Sequence, residues 1–183
     1  MDFKLFLKEL SLMEHPIALG GCRAQKIHYD CCDYNIVIFD NTNNPDSVVQ
    51  IDNGFVRLHH ANLNESRIEI LNKYDNLEII SDPKWELKIF LSKINEKKSS
   101  ISQAYSRKCI VESQVCLVKA KNGLDISDPF TSCWVKCAAY FLIDAILSLN
   151  NKQNCPVHTL NSIRKLKPNT LNDSLSLITE CIG

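Results

Sequence analysis

The residues best suited to chemistry lie in one stretch, where two glycines precede a pair of polar side chains. Gly20-Gly21 follows a short apolar run, and Asp33-Tyr34-Asn35 opens a longer one. Glycines after a strand let backbone N–H groups approach a phosphate closely, although they serve a tight turn equally well. Alternate residues of a strand share a face, so Asp33 and Asn35 point the same way. Because magnesium prefers oxygen ligands, the pattern predicts a phosphate site at Gly20-Gly21 with magnesium held by Asp33.

This stretch resembles the nucleotidyltransferase fold family, which includes polymerase-beta-like enzymes and the minimal nucleotidyltransferases. Family members carry Gly-Ser, often followed by Arg-Ala, after a strand, and Asp-x-Asp at the start of the next strand. Here the corresponding residues are Gly21-Cys22-Arg23-Ala24 and Asp33-Tyr34-Asn35. The resemblance implies nucleotidyl transfer from a nucleoside triphosphate with magnesium. It also implies a phosphate-binding set and a catalytic set, which are respectively Gly20, Gly21, Cys22 and Arg23, and Asp33, Asn35 and a third carboxylate.

Two departures from the family pattern predict weak or absent transferase activity. Cys22 replaces the serine and is a weaker hydrogen-bonding partner for phosphate, while Asn35 replaces the second metal carboxylate with a neutral amide. Two-metal transfer needs carboxylates that hold both cations about 3.5–4 Å apart. The third carboxylate is Glu69 if residues 65–73 form a strand, or Asp52 beside a turn. If the strand in question is instead Phe55 to His59, it carries no carboxylate.

Other interpretations of these residues remain open. Asp33 is also a plausible capping carboxylate, and Arg23 a solvated helix residue. Cys22, His28, Cys31 and Cys32 approach the spacing of a zinc site, but adjacent cysteines on a strand point to opposite faces. An alternative function is a noncatalytic interaction or regulatory module that assembles through its helical half, for example as a homo-oligomer.

The elements that must position these residues divide the chain into two parts. Apolar runs predict strands at residues 17–20, 34–39, 48–51 and 55–60 in one sheet, with Asp52-Asn53-Gly54 as a hairpin turn and a further short strand near residue 79. After Pro83 the apolar period becomes helical, with Gly123 as a C-cap and a last helix over 169–182. We therefore expect an α+β fold: a nucleotidyltransferase-like mixed sheet with flanking helices (1–83), followed by a helical bundle (84–183).

Composition limits the partners and the compartment. The 183 residues contain 21 basic and 21 acidic side chains, which argues against a broad electrostatic grip on nucleic acid and leaves room only for a local basic patch. The longest apolar run, Cys137 to Leu149, is shorter than a bilayer span and contains Asp144. The charged N-terminus does not resemble a signal peptide. We expect a cytoplasmic protein that binds a nucleotide or other phosphate ligand and no membrane.

Overall fold

The structure, a computed structural model, describes residues 3–42, 44–51, 54–152, 155 and 158–167. The chain forms two compact units, Met1–Lys98 and Ser99–Gly183. The first unit contains a mixed sheet with flanking helices, and the described part of the second is helical, so the fold is α+β. The first unit also takes in the first helix after Pro83. The domain boundary at residue 83 stays a prediction.

The sheet of the first unit has five strands, in the spatial order β3-β4-β2-β1-β5. They are β1 Ile17–Gly20, β2 Tyr34–Ile38, β3 Ser47–Ile51, β4 Gly54–His60 and β5 Glu78–Ser81. Only β2 and β4 pair in parallel, while the other neighbours are antiparallel. The prediction that the first four strands share one sheet is confirmed. Residues 52 and 53 of the predicted hairpin turn lie outside the described residues.

One face of this sheet is apolar and packs against the first helix, α1 (Phe3–Glu9). Leu7 of α1 is fully buried among alternate residues of the central strands, which are Ile17, Leu19, Ile36, Ile38, Val56 and Leu58. The alternation leaves Asn35, Arg57 and His59 on the opposite face. Burial of the apolar face therefore fixes which side chains the other face presents.

Helical segments close the first unit. The short α2 (Gly21–Ala24) follows β1, and α3 (Ile68–Leu71) continues into a 3-10 turn, Asn72–Tyr74. The ambiguous stretch 65–73 thus contains a helix and no strand. Helix α4 (Glu86–Glu96) contributes Phe90 to an edge-to-face aromatic group with Phe39 and Tyr74, whose ring centroids lie 5.5–6.2 Å apart. Burial, with the charge of Glu65, raises the pKa of Tyr74 to about 12.

In the second unit, two long helices pack through unusually small side chains. Helix α5 (Lys98–Asp125) buries a seam at three- and four-residue spacing, comprising Ser102, Ser106, Cys109, Ser113, Cys116, Ala120 and Gly123. Seam hydroxyls donate to carbonyls of α6 (Thr131–Leu149): Ser102 to Ser148 (2.6 Å), Ser106 to Ala145 (3.0 Å) and Ser113 to Ala138 (2.9 Å). Small side chains let the antiparallel backbones approach closely enough for these bonds.

Gly123 belongs to this close approach, and the prediction that it caps the helix is wrong. Helix α5 continues to Asp125, and a Cβ atom on Gly123 would lie 2.5 Å from Oγ1 of Thr131. On the outer side of α5 the larger residues Val111, Val115 and Val118 are exposed. Helix α5 therefore buries its small residues and exposes larger ones, which explains why its apolar period is weak in the sequence.

Helix α6 is the one helix among the described residues whose length and composition would allow it to cross a membrane. Helices in the core of a globular protein also meet these length and composition criteria, and α6 makes the contacts of a core helix. It accepts the seam hydroxyls of α5, and its Ile143, Ile146 and Leu147 pack against Ile163 of α7 (Thr159–Arg164). Asp144, interior to its apolar sequence, accepts a hydrogen bond from the Tyr105 hydroxyl (3.3 Å). The predicted helix over 169–182 lies outside the described residues.

Candidate functional site

The connection from β1 to β2 has the local structure that the sequence motif requires. Strand β1 ends at Gly20, α2 begins at Gly21, and Asp33 immediately precedes β2. Gly20 pairs in register with Asn35, and Gly21 has a φ of +69°, in the region that favours glycine. A Cβ on Gly21 would lie 3.0 Å from Nδ2 of Asn35. Gly21 is thus needed both for the turn and for the close approach of the Asn35 amide.

The next two residues of the motif are occupied by contacts within the protein. Cys22 is buried in α2. The Arg23 guanidinium donates from Nε to the Cys32 carbonyl (2.8 Å) and from Nη2 to the Asp30 carbonyl (3.0 Å), and it stacks on the Tyr34 ring at 3.8 Å from the ring centroid. These contacts hold the loop between α2 and β2. Contact of Cys22 or Arg23 with a phosphate stays a prediction.

Asp33, the predicted magnesium ligand, forms an ion pair with Arg57 of β4. Nε of Arg57 donates to Oδ2 of Asp33 at 2.8 Å. Strands β2 and β4 run in parallel, and Asn35 pairs in register with Arg57. Asp33, two residues before Asn35, therefore lies at the same end of the two strands as Arg57. The Arg57 side chain remains 52% exposed, so the pair lies at the surface of the sheet and its charge is accessible to a ligand.

A second acid–base pair lies beside the first. Nδ1 of His59 lies 2.7 Å from Oδ2 of Asp46, which precedes β3, and Nε2 of His59 lies 3.4 Å from Oδ1 of Asn35. Both partner oxygens are acceptors, so His59 makes both hydrogen bonds together only when each ring nitrogen carries a proton. We call Asp33, Asn35, Asp46, Arg57 and His59 the strand-edge cluster.

Both carboxylates of the strand-edge cluster are paired with basic side chains, which disfavours a magnesium site there. Asp33 gives one oxygen to a guanidinium, Asn35 is neutral, and Asp46 is paired with His59. Within the described ranges, no three ligand atoms from histidine, cysteine, aspartate or glutamate that include Asp33 lie close enough together to hold a metal ion. An arginine next to the carboxylate opposes a divalent cation by direct charge repulsion.

Strand β4, the neighbour of β2, carries no carboxylate that could serve as the third one. The strand parallel to β2 is β4, Gly54–His60, and its polar residues on the cluster face are Arg57 and His59. Glu69 lies on α3, so the condition that placed it on a strand is not met. Asp52 lies outside the described residues. As the sequence indicates for Phe55 to His59, β4 presents basic side chains and no carboxylate.

His60, next to His59, points to a different partner. Its Nδ1 lies 2.7 Å from Oδ2 of Asp40, whose other oxygen accepts hydrogen bonds from the hydroxyl (2.9 Å) and backbone N–H (3.1 Å) of Thr42. Burial opposes ionisation of Asp40, but the hydrogen bonds from His60 and Thr42 outweigh it and lower the pKa of this carboxyl. The two histidines thus belong to separate clusters.

The four residues considered for a zinc site, Cys22, His28, Cys31 and Cys32, do not come together around one point in the described part of the chain. Cys32 is buried and Cys31 exposed, and both lie in the loop before β2 rather than on a strand. Among the residues that the structure describes, neither His28 nor Cys31 joins Cys22 and Cys32 in a group close enough to share an ion. Cys32 instead accepts a hydrogen bond at its sulfur from the backbone N–H of Tyr29 (3.4 Å).

Sequence reasoning did not anticipate Arg57, His59 and Asp46 as cluster members. A signal was present, because Arg57 and His59 alternate with the apolar residues Val56 and Leu58 and must share the face opposite the core. What the sequence alone could not give is the parallel pairing of β2 with β4.

Comparison with known proteins adds a structural likeness only. No protein-family model and no curated protein matches the sequence. Among solved structures, the chain is similar to a nucleotidyltransferase-like protein from Exiguobacterium sibiricum 255-15, with a TM-score of 0.39 and 11% sequence identity over 98% of this chain and 71% of that chain. A likeness of this size carries no argument about function.

Proposed function

We propose that this chain is a degenerate nucleotidyltransferase-like protein, which binds a nucleotide or other phosphate ligand at the strand-edge cluster and has weak or absent nucleotidyl transfer. Support comes from the motif order and its local structure. A strand, a glycine pair, a short helix and Asp33 at the start of the next strand follow one another as in the family pattern. The basic residues that line the adjacent strand could contact an anionic ligand.

The observation that carries the proposal is the ion pair between Asp33 and Arg57 at 2.8 Å. Nucleotidyl transfer depends on cations that stabilise the attacking and leaving oxygens. A guanidinium can neutralise phosphate charge, but it cannot coordinate an attacking hydroxyl and lower its pKa as a metal does. The described residues of the cluster thus include groups suited to phosphate recognition, while the carboxylates that would hold two cations are paired with basic side chains.

The test is an assay of nucleotide turnover by the full chain with radiolabelled ATP and magnesium, scored by pyrophosphate release and by labelling of protein or added acceptors. Wild-type protein should give no transfer above background. Asn35→Asp alone should not restore activity, because Arg57 still occupies Asp33 and β4 still lacks a carboxylate. Efficient magnesium-dependent transfer by the wild type, lost in Asp33→Ala, would refute the degenerate assignment and establish an active family member.

A second candidate function is favoured by the outer surface of α5. Val111, Val115 and Val118 recur at four- and three-residue spacing and are 61%, 43% and 56% exposed. Such a stripe is typical of a helix that packs against another helix. On this proposal the protein is an interaction module that assembles through its helical half. Analytical ultracentrifugation over a range of concentrations would show self-association that Val115→Lys abolishes, whereas a monomer at all concentrations would exclude homo-oligomers.

A further inference from the structure

We infer that the strand-edge cluster is an anion site in which Arg57 and His59 together bind one phosphate group without a divalent cation. Asp33 and Asp46, on this inference, position the two basic side chains and bind no metal. The inference rests on the proposed function, since it names the chemistry by which the same site takes a phosphate ligand. It also explains why the carboxylate that should hold magnesium contacts an arginine.

Arg57 has the donors that such a site needs. Its bond to Asp33 uses only the Nε–H, and a guanidinium carries five N–H donors in a planar fork that matches phosphate oxygens. The side chain is 52% exposed, and no contact of the described residues uses its two terminal nitrogens. The Asp33 carboxylate therefore fixes the guanidinium at Nε and leaves its outer edge available to a ligand.

His59 supplies a second donor on the same face. Residues two apart on a strand are separated by about 7 Å, which two hydrogen bonds of about 2.8 Å and an intervening phosphate can span. Asp46 binds Nδ1 tightly at 2.7 Å, whereas the 3.4 Å contact of Nε2 with Asn35 is near the limit of a hydrogen bond. A phosphate oxygen can replace that weak contact without disturbing the stronger one.

The charges of the cluster predict weak binding. Its charged or ionisable side chains are Asp46 before β3, Asp33 before β2, and Arg57 and His59 on β4. With His59 neutral, the two carboxylates outnumber the single guanidinium. With His59 protonated, the cluster has no net charge and offers the phosphate a second charged donor.

Isothermal titration calorimetry with inorganic phosphate and with ATP, in EDTA, tests the inference on the full chain. Arg57→Gln and His59→Gln should each weaken binding about tenfold or more, because each removes a charge-assisted hydrogen bond. Arg67→Gln is the control, since Arg67 also pairs with a carboxylate, Glu65, at 2.7 Å and is not a member of the cluster. Circular dichroism will check folding, and the exposed Arg57 pair contributes little to it.

Asp33→Asn separates this inference from metal binding. Asparagine keeps an oxygen that can accept the hydrogen bond from Nε of Arg57 and removes the negative charge beside it, so phosphate affinity without metal should hold or rise. Metal-free binding that depends on Arg57 and His59 and persists in Asp33→Asn supports the inference. ATP binding that requires magnesium and is lost in Asp33→Asn overturns it and leaves the proposed function standing. Absence of phosphate and ATP binding with or without magnesium overturns both.

Discussion

The packing of α5 predicts that a buried serine is harder to replace than an exposed valine. Ser106 is 1% exposed, and its single hydroxyl proton is shared between the carbonyls of Ser102 (2.8 Å) and Ala145 (3.0 Å). Val111, on the outer face of the same helix, is 61% exposed. We therefore expect Ser106→Leu to destabilise the second unit strongly and Val111→Ser to leave it nearly unchanged, the reverse of what hydrophobicity alone would suggest.

The magnitude follows from the two losses at Ser106. Leucine removes hydrogen bonds worth about 1 kcal/mol and forces a larger side chain into a seam of small residues, which costs about 1–3 kcal/mol. The free energy of unfolding should fall by about 2–4 kcal/mol. Ser106→Ala adds no volume and should cost about 1 kcal/mol, whereas the exposed Val111→Ser should stay within about 0.5 kcal/mol.

Urea unfolding of the full chain is the assay. A Trp85→Phe background leaves Trp134 of α6 as the fluorescent reporter, and its ring lies 4.2 Å from Nζ of Lys119 on α5. A shift of the urea midpoint with an unchanged slope reports stability. If Val111→Ser costs as much as Ser106→Leu, or if Ser106→Leu costs nothing, the assignment of the inner face of α5 is incorrect.

Three further predictions follow from individual contacts. Because the pKa of Asp40 is lowered in the folded state, this carboxylate stabilises the fold above about pH 3.8, and the contribution is lost as the pH falls through the folded pKa. The free energy of unfolding of Asp40→Asn, measured between pH 2 and 5, should therefore fall less steeply with decreasing pH than that of the wild type. Gly123→Ala should cost about 1–3 kcal/mol in thermal unfolding, because its Cβ would meet Thr131 Oγ1 at 2.5 Å, and Thr131→Ala should recover part of the loss. Iodoacetamide should modify the exposed Cys133 well before Cys109, whose burial raises the pKa of its thiol, and equal rates in peptide mass spectrometry would contradict this.

The sheet could be predicted from the sequence because its strands alternate or are continuously apolar, and turn residues bound them. Residues 65–73 could not be assigned, since Ile68, Ile70 and Leu71 fit a short helix and a strand equally well; the structure forms α3 there. The helical pattern of α5 predicted a helix but not its inner face. Its buried positions are serine, cysteine, alanine and glycine, which hydrophobicity does not distinguish from surface residues.

For the candidate site, the sequence predicted the residues at the start of β2 but not that β4 lies beside that strand. Gly21, Asp33 and Asn35 are close in sequence, and their local structure follows from the turn and the period of β2. Arg57 contacts Asp33 across 24 positions of the chain, and that contact depends on the parallel register of β2 with β4. The motif therefore predicted the position of Asp33 at the start of β2. Its partner Arg57 could be identified only from the fold.

The most direct measurement of the central claim uses manganese, a paramagnetic substitute for magnesium, in ¹⁵N NMR spectra of the full chain. Asp33 pairs with Arg57, and we propose that it is not a metal ligand. Titration with Mn²⁺ should therefore leave the backbone amide signals of Asp33 and Asn35 no broader than those of other exposed acidic residues. Selective loss of these two signals at low Mn²⁺, abolished by Asp33→Asn, would show that the site binds a cation and would contradict the account.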